Sequence, residues 1–344
     1  MTTFQCIFGI FHWLCGATRG TTQVNSAGRD KNYTVNQLWP GENENVEPNS
    51  ETLTLIFFHG LQLEDGTSPW RSTWTARGTD ECWPQKWVPE DLREKGIENV
   101  RVLSLSYDSI ASRWGRRGRT RNVSDIGKDL VQKLICNSDW KLYEHQRIVL
   151  VGHSFGGLVI KSVITEAHKR LMKRGMVPGT STTAKGLTET MDSQCREFLK
   201  HIRHIIFYAV PHLGTNIANY VKVLNNVVSL RLAGIVDNLK PFQMEMEELS
   251  DEFECAISQE LPIPIYAIVE TQTYMKVIVV ERASATRLAN EWMTLEANHV
   301  NICKPEDKRD DGYRKVMQIL EMIMEPQGDA DDCCDTEYAT PRSF

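Results

Sequence analysis

Long hydrophobic runs are missing from this chain. Its 344 residues contain no stretch of about 18 consecutive apolar residues, so no ordinary transmembrane helix is written in them. Basic residues are in the minority: 39 lysines and arginines face 45 acids, a net charge of −6. That balance argues against general nucleic-acid binding, which needs a clustered basic footprint. The glycines lack the spacing of a phosphate-cradling loop or a dinucleotide fingerprint. No C-x-x-C pair or Cys/His cluster has zinc spacing, so the sequence implies no metal and no other cofactor. Nine cysteines, an odd number, read as reduced thiols. What is present is ordinary globular material. Apolar residues at 41% and charged residues at 24% suit a sizeable core in one large domain or two small ones.

Residues 1–50 read as an N-terminal arm. Phe4 to Ala17 is apolar and aromatic, no acid precedes Asp30, and Arg19, Arg29 and Lys31 are basic. This is compatible with an organellar presequence, a membrane-surface anchor or a disordered or packed arm, and it lacks the basic n-region of a secretory signal. Gly41 to Glu51 is a polar connection. From 51 to 325 the pattern alternates. Apolar runs at Leu53–Phe58, Val100–Ser106, Arg147–Val151, His204–Val210, Pro264–Val269 and Lys276–Val280 read as strands. Helical patterns cover Pro84–Lys95, Ser124–Ile135 with Ser124 as N-cap, Phe155–Arg170 and Asp307–Met324. The fold class expected is α/β, a mainly parallel sheet with helices on both faces. Lys173 to Asp192 reads as a mobile insertion and Asn216 to Glu260 as a cap over the site. Residues 326–344 form an acidic polar tail with the composition of disorder.

The chemistry centres on Gly152-His153-Ser154-Phe155-Gly156. G-x-S-x-G is common by accident, but here a buried strand pattern enters it and a helical pattern leaves. That setting puts a serine on a sharp turn with its hydroxyl lifted above the sheet, the nucleophile elbow of an α/β hydrolase. Glycines at 152 and 156 leave room for the tight backbone. In that fold the chain order is serine, acid, histidine. His299, in a loop before the last helix, is the only histidine beyond His212 and is the expected base. Glu270, ending IYAIVE, is the favoured acid. Glu281, ending VIVVE, is the runner-up, ahead of Asp237, Asp251 and Glu296. His59-Gly60-Leu61 ends the first core strand, so the backbone N–H groups of Leu61 and Phe155 are the expected oxyanion donors. His153 reads as a packing residue beside the site.

Several longer motifs go with this set: FFHGLQ, WRSTWTARGTDECWPQKW, VGHSFGGLVIK, FYAVPHLGT and ANHVNICKP. Over roughly 51–323 the chain resembles the serine-active-site-containing protein family, lipase-like α/β hydrolases related to the inositol deacylases of GPI anchors. The resemblance implies an ester hydrolase or acyltransferase acting on lipids, in association with mitochondria or the endoplasmic reticulum. It places the nucleophile at Ser154, the histidine at His299 and the glutamate at Glu270. It also puts the motif beginning at His212 along the site. The chain departs from larger members in lacking a long helical or repeat N-terminal region.

Two further features have two readings each. Arg113, Arg116, Arg117, Arg119 and Arg121 suit either a solvated loop or the grip of an anionic lipid headgroup. Trp70, Trp74, Trp83 and Trp87 suit either core packing or a lipid-facing wall. The expected activity is ester cleavage through an acyl-enzyme on a lipid-like substrate. Acyl transfer by the same triad and a non-catalytic hydrolase-like interaction module are the alternatives.

Overall fold

A computed structural model describes residues 33–41, 46–61, 68–107, 109, 122–136, 140–172, 182–212, 239–259 and 261–325. Seven strands form one sheet: β1 Tyr33–Trp39, β2 Leu53–Phe58, β3 Val100–Tyr107, β4 Arg147–His153, β5 Ile202–Tyr208, β6 Ile265–Glu270 and β7 Glu291–Leu295. Their order across the sheet is β1-β3-β2-β4-β5-β6-β7. Only β1 runs antiparallel, against β3; every other pair is parallel. The helices are α1 Pro69–Thr73, α2 Trp83–Glu94, α3 Val123–Leu130, α4 Phe155–Met172, α5 Thr182–His201, α6 Leu239–Gln259, α7 Arg282–Ala285 and α8 Asp311–Met324. A π-type turn, Val131–Cys136, continues α3.

The unbroken apolar strands have a simple cause. Side chains alternate across a strand, so a strand buried on both faces is apolar throughout. In β2, Ile56 and Phe58 face a core built with α3, α4, α5 and α6. Leu53, Leu55 and Phe57 face the opposite core, built with α1, α2 and α8. The four tryptophans lie in this second core. Phe57 meets Trp74 and Trp83 edge-on at 5.0 and 5.5 Å, and Trp83 and Trp87 flank Tyr313 of α8. Of their two readings, core packing is the one realised.

Several expected elements are corrected. The sheet begins before residue 51, because β1 pairs along the outer edge of β3. Lys276–Val280 is not a strand: it forms a turn, with one isolated bridge between Tyr274 and Val277. The last strand is instead β7, half-exposed at the sheet edge. The N-cap of α3 is Asn122, whose side chain accepts from Asp125 N–H while Asp125 reaches back, a reciprocal capping box. Asp310 caps α8, so that helix starts at Asp311 and not at Asp307. Within the stretch read as an insertion, α5 is underway from Thr182, and within the stretch read as a cap, α6 runs from Leu239. The intervening parts, the Arg113–Arg121 run, most of the N-terminal arm and the C-terminal tail lie outside the described residues. No helix among the described residues is long and apolar enough to cross a membrane.

One close approach fixes the nucleophile helix on the sheet. A Cβ on Gly156 would lie 2.1 Å from Phe58 O and 2.7 Å from His59 O, both backbone atoms. Neither can swing aside as a side chain would. Gly156→Ala is therefore expected to cost about 3 kcal/mol or more, at or beyond the top of ordinary overpacking. An unchanged denaturation midpoint would refute the close approach.

Candidate active site

Strand register builds the site. Phe58 pairs with Gly152 across β2 and β4, so His59-Gly60 sits beside His153-Ser154. His153 pairs with Tyr208 of β5, and Ser154 N–H donates to Tyr208 O at 2.9 Å. Tyr208 pairs with Ile268 of β6, two residues before Glu270. Glu270 pairs with Leu295 of β7, four residues before His299. Residues spread from 59 to 299 thus meet at the carboxyl ends of five parallel strands, where open α/β sheets bind ligands.

The turn itself is strained. Ser154 has φ of 54°, a left-handed conformation that a residue with a Cβ rarely adopts. It holds the serine between the end of β4 and the start of α4. The Oγ lies 2.8 Å from His299 Nε2, and His299 Nδ1 lies 2.7 Å from Glu270 Oε2. One neutral tautomer satisfies both contacts: Ser154 O–H donates to Nε2, and Nδ1–H donates to the carboxylate. Ser154, His299 and Glu270 are all buried.

Glu270 is held from its other side. Its Oε1 accepts from Val279 N–H at 2.6 Å and Val280 N–H at 3.0 Å. The segment read as a strand is thus a pair of backbone donors aimed at Glu270. No residue-type pattern marks that role, because only amides take part. Glu281, the runner-up, is exposed at the N-cap position of α7. Asp251 and Glu296 are also exposed, and Asp237 lies outside the described residues.

The histidine loop is pinned by His153, whose Nε2–H donates to His299 O at 2.8 Å. Burial, with the neighbouring His299 as a lesser cause, pushes the His153 pKa well below the ordinary histidine value, so the ring is neutral. The residue read as packing therefore also holds the backbone of His299. His212 is buried with its ring 5.1 Å from that of Phe207; its N–H donates to Ser284 and its carbonyl accepts from Ser250. Phe155 opens α4 and is fully buried. Gly60 lies against the nucleophile: a Cβ there would be 2.9 Å from His153 Nδ1 and 3.5 Å from Ser154 Cβ. Leu61 follows it, packed against both cores.

Comparison with known proteins points to the same broad class. Residues 110–256 match the family described as "Putative serine esterase (DUF676)". Protein SERAC1 of Danio rerio is 26% identical over 250 residues, covering 70% of this chain and 33% of the relative. Protein SERAC1 of Bos taurus is 27% identical over 284 residues, covering 77% and 38%. The chain thus spans little more than a third of the length of these curated relatives. Among solved structures, the peroxisomal α/β-hydrolase Lpx1 of Saccharomyces cerevisiae is 13% identical, with a TM-score of 0.40 over 95% of this chain and 91% of that one. The fold rests on the sheet and its nucleophile turn, not on that likeness. The chain thus has the sheet and nucleophile turn of an α/β-hydrolase fold, and it is similar to a putative serine esterase family over residues 110–256 and to the SERAC1 proteins.

Proposed function

We propose that this chain cleaves carboxylic esters through an acyl-enzyme formed on Ser154. The observation that carries the reading is the unbroken relay from Ser154 Oγ to His299 Nε2 and from His299 Nδ1 to Glu270, with contacts of 2.8 and 2.7 Å. In it, His299 removes the hydroxyl proton as Ser154 Oγ attacks the ester carbonyl. The imidazolium returns that proton to the leaving alcohol. Glu270, fixed by two backbone amides, keeps the ring in one tautomer and balances its transient charge. The developing oxyanion is met by the N–H groups of Leu61 and Phe155 at the start of α4, whose dipole points the same way. Water then repeats the sequence on the acyl-serine and releases the acid. The proposed substrates are esters with lipid-like acyl chains, a class that follows from the family resemblance.

A fluorophosphonate probe tests the nucleophile directly. The folded protein is expected to gain the probe's mass on the peptide containing Ser154. No labelling under conditions that label a known serine hydrolase would defeat the proposal.

A further inference from the structure

We propose that Tyr107 and Ser109, at the carboxyl end of β3, are positioning residues that set the direction of the Leu61 N–H by clamping the two peptide groups that precede it. The inference rests on the reading of Leu61 as an oxyanion donor.

A trans peptide is planar, and its C=O and N–H point in opposite directions. The Gly60 carbonyl and the Leu61 N–H belong to one such unit, so whatever holds the carbonyl aims the N–H. Two donors hold it. Ser109 Oγ–H donates to Gly60 O at 3.2 Å, and His59 Nδ1–H donates to the same oxygen at 2.7 Å. The unit before it is held as well, because the Tyr107 phenol donates to His59 O. Two successive peptide planes are thereby fixed from β3.

The geometry is self-consistent at the histidine. Tyr107 N–H donates to His59 Nε2 at 3.4 Å, which leaves the proton on Nδ1, where Gly60 O needs it. Burial lowers the His59 pKa to about 4, so the ring stays neutral with that one tautomer. The Tyr107 and His59 rings stack at 4.1 Å with 13° between their planes. Strand register explains why these groups meet. Phe58 pairs with Leu105, so Gly60 and Tyr107 each lie two residues beyond the same pair. Ser109 and His59 are fully buried, and water does not compete for these bonds. A donor aimed in advance costs no reorganisation when the oxyanion forms.

The test uses Tyr107→Phe and Ser109→Ala, each deleting one oxygen, and the double variant. Turnover is measured on a p-nitrophenyl ester and on the matching thionoester, whose sulfur accepts hydrogen bonds poorly. Thermal melts of the same samples report folding, and either single variant decides the question if the other fails to fold. Each single variant is expected to lose about 10-fold in kcat, and the double about 10²-fold, short of or equal to full loss of one donor. KM is expected to stay nearly constant, and the preference for ester over thionoester to fall by a similar factor. A lesion of packing alone would lower the melting point without narrowing that preference. Both single variants keeping wild-type kcat and preference would overturn the clamp. A wild type that shows no preference for the ester would instead overturn the Leu61 reading, and with it the proposal.

Discussion

Ser154→Ala is expected to lower ester turnover by about 10⁴-fold or more, the scale on which serine triads lose activity. The substitution removes one oxygen. It keeps a Cβ at a φ of 54°, so the strain of the turn is unchanged and the fold should survive. Circular dichroism and a thermal melt check that the sheet persists. His299→Ala added to the same chain should cost little more, because groups that work as a relay are lost as a unit. Undiminished turnover in Ser154→Ala would remove the nucleophile from the mechanism. Additive losses in the double variant would mean that His299 acts elsewhere.

Lys161→Met is expected to change how stability depends on pH. Lys161 sits on α4 at 0% exposure, and its Nζ donates to Ser250 Oγ of α6 at 2.8 Å. Burial, reinforced by the Arg287 charge and opposed by Asp251, lowers its pKa from 10.5 to about 7. The unfolded chain keeps the ordinary value. Between the two, the unfolded state binds the extra proton, so unfolding free energy rises with pH by about 1.4 kcal/mol per unit. Below about pH 7 the ammonium is charged in both states, and its burial opposes folding by on the order of 5 kcal/mol. Methionine carries no such cost. Ser250 can still donate its one hydroxyl proton to the Met246 carbonyl, with the His212 carbonyl also within reach, without Lys161. The variant should therefore be the more stable protein near pH 6, and its advantage should shrink as pH rises towards 10. Denaturant midpoints across that range measure it. A gap that does not vary with pH would show that Lys161 titrates normally.

The parts legible in the sequence are those in which residue type and burial coincide. Four strands, β2, β4, β5 and β6, carry largely apolar runs because both their faces are covered, and Leu53–Phe58 is buried at every position. The nucleophile turn is legible because its glycines are forced by close approach, as at Gly156. Edges are not legible in this way. β1 and β7 are half-covered, so Tyr33–Trp39 and Glu291–Leu295 lack an apolar run. Lys276–Val280 misleads in the opposite sense. Its valines are β-branched, and Val279 and Val280 are buried, but their amides turn towards Glu270 and not along a ladder. The serine, the base and the acid are named by chemistry and chain order. What holds them, the His153 bond to His299 O and the backbone donors at 279 and 280, depends on spacing in three dimensions.

The 145-residue separation between Ser154 and its histidine also sets an order in time. A chain made from its N-terminus exposes the serine long before the histidine exists. Contacts so far apart in sequence close late in folding. On the proposed relay, Ser154 remains an ordinary alcohol until residues 291–299 add β7 and its loop. On that reading a chain interrupted before that point holds no activated serine, whatever else of the sheet it has formed. In the proposed mechanism the hydroxyl is thus armed only once β7 and the His299 loop have joined the sheet.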